Sequence, residues 1–253
     1  MKMNVSTMQA AWRRDQLFTL VAIVVSAALA WVYLVGAGDA GMSMEMPLHR
    51  SPLELFGLSA LMWSVMMVAM MLPSASPMIL TFSRVQRRQG DRERTSVAVF
   101  VAGYLIVWSI FSVLVALMQT WAHAAGLLTS LMGATDSVTG GLLLVAAGLY
   151  QWSAVKDTCL TQCRTPLGFL MTEWRPGSRG ALLMGLRHGA LCVGCCWALM
   201  LLMFAGGVMN LAWMAALTMY VLAEKVVPQG QRFSRLTGAA LVVFGGLMLA
   251  GIL

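Results

Sequence analysis

The chain has 253 residues, of which 59% are hydrophobic and 11% charged, with a formal net charge of +7. A soluble domain carries about a quarter charged residues, so this chain has too little charge to cover a water-facing surface. The basic excess does not indicate a nucleic-acid partner, because the lysines and arginines flank apolar runs and no RNA- or DNA-binding motif accompanies them.

The apolar runs are continuous rather than alternating, which predicts helices crossing a bilayer and excludes a β-barrel reading. The expected fold is all-α: a polytopic transmembrane helical bundle of about seven spans, six if one pass is lost, with the lipid bilayer as its first partner. In chain order the spans are predicted at 17–35, 55–80, 97–118, 138–152, 188–204, 208–226 and 236–253. Pro73 and Pro77 lie near the end of the second, and Gly206-Gly207 makes the turn between the fifth and sixth. The first span resembles a signal peptide in having Arg13 and Arg14 before it, but it is longer than a usual h-region and is read as retained. The whole of 1–253 reads as a single integral membrane domain. Residues 36–54 form an external Met-rich loop, and 153–187 form a cytoplasmic loop with a cysteine pair.

Of the 17 basic residues, all except Arg50 fall in one set of loops. The positive-inside rule therefore puts the N-terminus in the cytoplasm and predicts a multi-pass protein of a bacterial inner (cytoplasmic) membrane.

The chemistry concentrates in the fifth span. Three of the five cysteines and one of the three histidines fall between His188 and Cys196, as His188-Gly-Ala-Leu-Cys192-Val-Gly-Cys195-Cys196. On a helix, Met184, His188, Cys192, Cys195 and Met203 share one face with Cys196 at its edge, a ladder of soft ligands. His188 and Cys196 are separated by about 12 Å along the axis, too far for one ion to bind every rung. Further ligands must come from elsewhere, and Cys159 and Cys163, four residues apart in the preceding loop, are first in line. The two clusters make either one site or two relay sites. A reducing compartment disfavours a structural disulfide between them. Simple packing of small cysteines accounts for any one of these residues but poorly for three beside a histidine.

Among 22 methionines, most are expected to fill apolar gaps. Met42, Met44 and Met46 with His49 alternate in a loop that has no core to fill, and thioethers select Cu(I). Met62, Met66 and Met70, with Met67 and Met71 beside them, form a stripe on the second span that would line a path if it faced the fifth. Glu224, next to Lys225, reads equally as a boundary ion pair or as a working intramembrane acid. Asn210 is expected to start a helix or to make an interhelical hydrogen bond, and His123 to sit at the interface.

Several segments resemble a bacterial family of predicted metal-binding integral membrane proteins, long catalogued as a domain of unknown function. They are Ala69-Met70-Met71-Leu72-Pro73 with Pro77, Tyr150-Gln151-Trp152 leading to Cys159 and Cys163, Gly185 to Met200, Gly207-Val208-Met209-Asn210, and Glu224-Lys225. The resemblance spans about residues 55–227. It implies a helical bundle of the inner membrane that binds metal.

The residues themselves favour Cu(I), with zinc as the rival metal, since Cys and His suit both ions but Met suits only copper. Transport, trafficking or delivery to a soluble or membrane protein partner is the leading expectation. The alternatives are a membrane subunit of a metal-dependent oxidase or redox complex, and a thiol-redox protein. No catalytic, nucleotide-binding or haem-ligating motif is present.

Overall fold

A computed structural model describes residues 5–39, 51–88, 94–125 and 135–252. Its ten helical segments are α1 (Val5–Asp39), α2 (Pro52–Arg88), α3 (Arg94–Ala124), α4 (Ser137–Tyr150), α5 (Ala154–Arg164), α6 (Pro166–Glu173), α7 (Gly177–Leu201), α8 (Met203–Gly206), α9 (Leu211–Val226) and α10 (Gly230–Leu249). No strand occurs among the described residues. The fold is all-helical, as expected.

Large apolar side chains point outward. On α1, Leu17, Phe18, Val24, Leu29 and Val32 are exposed, as are Ile110 and Leu114 on α3 and Val243 and Phe244 on α10. The interior adds methionine, cysteine, aromatic and small residues to buried aliphatic ones. An apolar exterior of this extent suits hydrocarbon rather than water.

Five helices are long and apolar enough to cross a membrane, or six if the bent pair α4–α5 counts as one span. Seven spans were expected, or six if one pass is lost; α9 falls short, and α4 counts only together with α5. α9 has 16 residues, about 24 Å of helix against a hydrocarbon core of about 30 Å. Its buried face, including Met214, Leu217, Val221, Glu224 and Lys225, packs inside the protein, so lipid does not set its length. The turn before it is where the glycines placed it: Gly207 has φ +91°, and Asn210 Oδ1 accepts the Trp213 amide at 3.1 Å as the helix cap.

The expected loop at 153–187 is mostly helix. The chain bends by 67° between α4 and α5, and Ser153 caps α5 by accepting the Lys156 amide at 3.1 Å. α7 begins eleven residues before the predicted start of the fifth span. The Met-rich loop is shorter than 36–54, because α1 runs to Asp39 and α2 starts at Pro52. Met42, Met44, Met46 and His49 lie outside the described residues.

α2 continues through both prolines to Arg88. Pro73 and Pro77 have no amide proton, which frees two carbonyls of the preceding turns and loosens the segment. Within it the Met71 carbonyl accepts Ser74 Oγ at 2.9 Å and Tyr104 Oη at 3.1 Å.

α7 runs through the centre, against α3 on one side and α5 on the other. Glycine makes the α3 approach close: a Cβ on Gly185 would lie 2.1 Å from the Phe100 carbonyl oxygen. Side chains of α3 are thereby brought onto the cysteine-bearing face of α7.

Candidate metal centre

Cys192, Cys195 and Cys196 occupy successive positions on the inward face of α7, each at most 1% exposed. Their sulfurs all lie within 4.8 Å of one another. Cys195 and Cys196 turn the same way because both thiols donate to the Cys192 carbonyl, at 3.1 and 2.9 Å. A metal with bonds of about 2.3 Å to sulfur needs sulfurs about 4.0 Å apart in a trigonal site and about 4.6 Å apart in a linear one. The cluster is thus already close to coordinating dimensions, and it offers soft sulfur rather than the oxygens that hard cations require.

α5 supplies the fourth thiol. Cys163 is buried and lies beside Cys192 and Cys195. Cys159, one turn earlier and partly exposed, rests against α7 at Gly194, where an added Cβ would be 2.7 Å from its sulfur. The missing side chain at Gly194 makes the notch that admits Cys159. The two cysteine clusters therefore meet. All five cysteines are free thiols.

α2 contributes a thioether. Met71 Sδ lies 3.9 Å from Cys196 Sγ. The stripe residues Met66, Met67 and Met70 are buried as well, but of these methionines it is Met71 that reaches the α7 thiols. Met184 is buried one turn before His188 and lines a separate cavity with Glu173 and Arg187. Met203 is buried in α8, beyond the cluster.

His188 is 2% exposed. Its ring stacks on Tyr104 and Phe100 at 5.6 and 6.1 Å and meets the edge of Phe169 at 5.7 Å. Its Nδ1 has no hydrogen-bond partner.

Two groups that sequence reasoning did not assign complete the surroundings. Lys225 Nζ donates to Cys192 Sγ at 3.0 Å and to Ser74 Oγ at 2.9 Å. Tyr104 Oη is 3.2 Å from Cys192 Sγ. Lys225 neither snorkels nor pairs with its neighbour Glu224. That carboxylate instead binds Lys156 at 2.8 Å, with both side chains at most 1% exposed, and accepts the Tyr220 hydroxyl at 3.4 Å. Among the described residues no carboxylate pairs with Lys225. The interior therefore holds a neutral Lys156–Glu224 pair and one further cation, aimed at a thiol. An anionic metal–thiolate centre would balance that charge.

The sequence profile of the PpoB2 family, described as copper chaperone, matches residues 60–248. The chain belongs to this family. The match takes in α7 with its cysteines, both cysteines of α5, Met71 and Lys225. No curated protein and no solved structure matches the chain. Membership in PpoB2 and the buried thiol cluster together support copper handling, and they agree with the metal-binding family expected from the sequence.

Proposed function

We propose that the chain is a multi-pass protein of the bacterial cytoplasmic membrane that binds Cu(I) at Cys163, Cys192, Cys195 and Cys196 and passes it to a protein partner. The observation that carries this reading is the buried cluster of three thiols on α7, with Cys163 beside it and a buried lysine at Cys192 that has no carboxylate partner among the described residues. Family membership supports copper over zinc, and the Met71 thioether beside Cys196 points the same way. The outward apolar faces of α1, α3 and α10 support residence in a bilayer. The clustering of basic residues in one set of loops supports a cytoplasmic setting for α5 and for the end of α9 that meets it. Copper here is cargo. Met42, Met44, Met46 and His49 would collect it on the opposite side.

The test is elemental analysis of protein purified from copper-fed cells. The wild type is expected to retain about one copper per chain, and the C192A/C195A/C196A variant to retain none. Zinc in place of copper would reassign the cargo. Absence of any metal, with cysteines that oxidise reversibly in cells, would replace metal handling with thiol redox.

A further inference from the structure

The thiol cluster has no opening of its own, since Cys192, Cys195 and Cys196 are fully enclosed. Beside it lies a cavity of about 200 Å³ whose wall includes Ser74, Met78, Cys163, Arg164, His188 and Lys225. Cys163 belongs to both places, because it lines the cavity and also lies beside Cys192 and Cys195. His188 brings to the same cavity a buried ring nitrogen with no partner in the protein. Buried polar atoms are nearly always satisfied, so an orphan lining a cavity marks a place for a ligand. A neutral imidazole nitrogen is a good ligand for copper.

The charge of the cavity says what form the copper takes. Arg164 and Lys225 line it and no carboxylate does. Arg164 is fixed there by donating to the Val227 and Pro228 carbonyls. A free cation is repelled from such a pocket, whereas an anionic complex is drawn in.

Building on the copper reading above, we infer that this cavity receives Cu(I) as an anionic bis-thiolate complex of a small carboxylated thiol, with His188 and Cys163 as the receiving ligands. The exchange involves no redox change. Cu(I) gains bonds to Cys163 Sγ and to one cluster sulfur and loses both bonds to the donor thiolates. Each departing thiolate takes the proton of the cysteine that replaces it and leaves as a neutral thiol group. One anionic bis-thiolate complex is consumed and one is formed, and the product lies beside Lys225. His188 holds the ion between the two exchanges and releases it once the second cysteine has bound.

The experiment follows loading of the purified full-length chain in detergent, without oxygen, by the ultraviolet absorption of the copper–thiolate bond. Cu(I) is supplied in excess 3-mercaptopropionate, which is anionic, or in excess cysteamine, which is cationic and of similar size. Loading is expected to be at least tenfold faster from mercaptopropionate. H188F keeps the aromatic stack and removes the nitrogen. It should load at least tenfold more slowly from mercaptopropionate and reach the same final copper per chain. If H188F does not fold, as judged by its thermal unfolding, H188N is read in the same way. Equal rates for the variant and the wild type, or loading from cysteamine as fast as from mercaptopropionate, overturn the inference and leave the copper site standing. A wild type that takes copper from neither complex overturns both.

Discussion

Replacing Lys225 by methionine tests the electrostatic design of the centre. Methionine keeps most of the length of the stem and removes the ammonium that sits 3.0 Å from Cys192 Sγ. At that distance two unit charges interact by about 5–6 kcal/mol with an effective dielectric constant of 20. That value is a ceiling, because desolvation offsets part of it; hydrogen bonds to charged groups contribute about 1.5–3 kcal/mol net. A loss of about 2 kcal/mol corresponds to Cu(I) binding weakened about 30-fold. Stability of the metal-free protein should move the other way or not at all, since K225M removes a buried cation that has no carboxylate partner. The assay is competition for Cu(I) against a colorimetric chelator, with thermal unfolding measured in parallel. A K225M affinity within threefold of wild type would refute the reasoning, as would a loss of affinity explained by unfolding.

Other outcomes follow from neighbouring features. E224Q leaves Lys156 charged, fully buried and without its partner, and should destabilise the chain by about 3–5 kcal/mol. The K156M/E224Q pair should recover most of that loss, and a double variant no better than the single one would show that the ion pair is not the cause. At the opposite end, Asp136 accepts hydrogen bonds from the Thr139 side chain and amide and from the Val138 amide, which hold its carboxyl below the usual carboxylate range. A depressed value in the folded state means that its contribution is complete above the ordinary carboxylate pKa and is lost as pH falls through the lower one. Acid unfolding curves should therefore be flatter for D136N than for wild type in that range, and superimposable curves would remove Asp136 from the acid response.

The ligand types were readable from residue spacing alone, because a helix face is a property of local sequence. The spacing of Cys192, Cys195 and Cys196 sets their shared face, and the i,i+4 spacing of Cys159 and Cys163 marks that pair as the complement. What spacing does not contain is the partner of each polar group in three dimensions. Glu224 and Lys225 are adjacent in sequence and read as a pair, yet α9 buries one against α5 and the other against α2 and α7. Tyr104 gave no signal beyond a hydroxyl in an apolar span. Its place at Cys192 depends on the glycine contact between α3 and α7, which only the packing reveals. Six spans, the lower of the two expected counts, fit because the turn at Gly207 to Asn210 takes residues that hydropathy counts as span and leaves α9 with 16.

The 67° break between α4 and α5 has a mechanical consequence. Cys163 lies ten residues beyond Ser153, about 15 Å along the helix, so a tilt of about 10° at the break would carry its sulfur about 2.6 Å. That displacement is enough to break a metal–sulfur bond while α7 and its three cysteines stay still. What resists the tilt is a set of ties along α5: Lys156 to Glu224, Asp157 to Arg235, Thr161 to Gln231, and Arg164 to the Val227 and Pro228 carbonyls. Every one of them ends on α9, α10 or the turn between them. With Cu(I) held as proposed, α5 would act as a lever fastened to this helical hairpin as well as packed on α7, and a pull on the hairpin would act on the Cys163 bond.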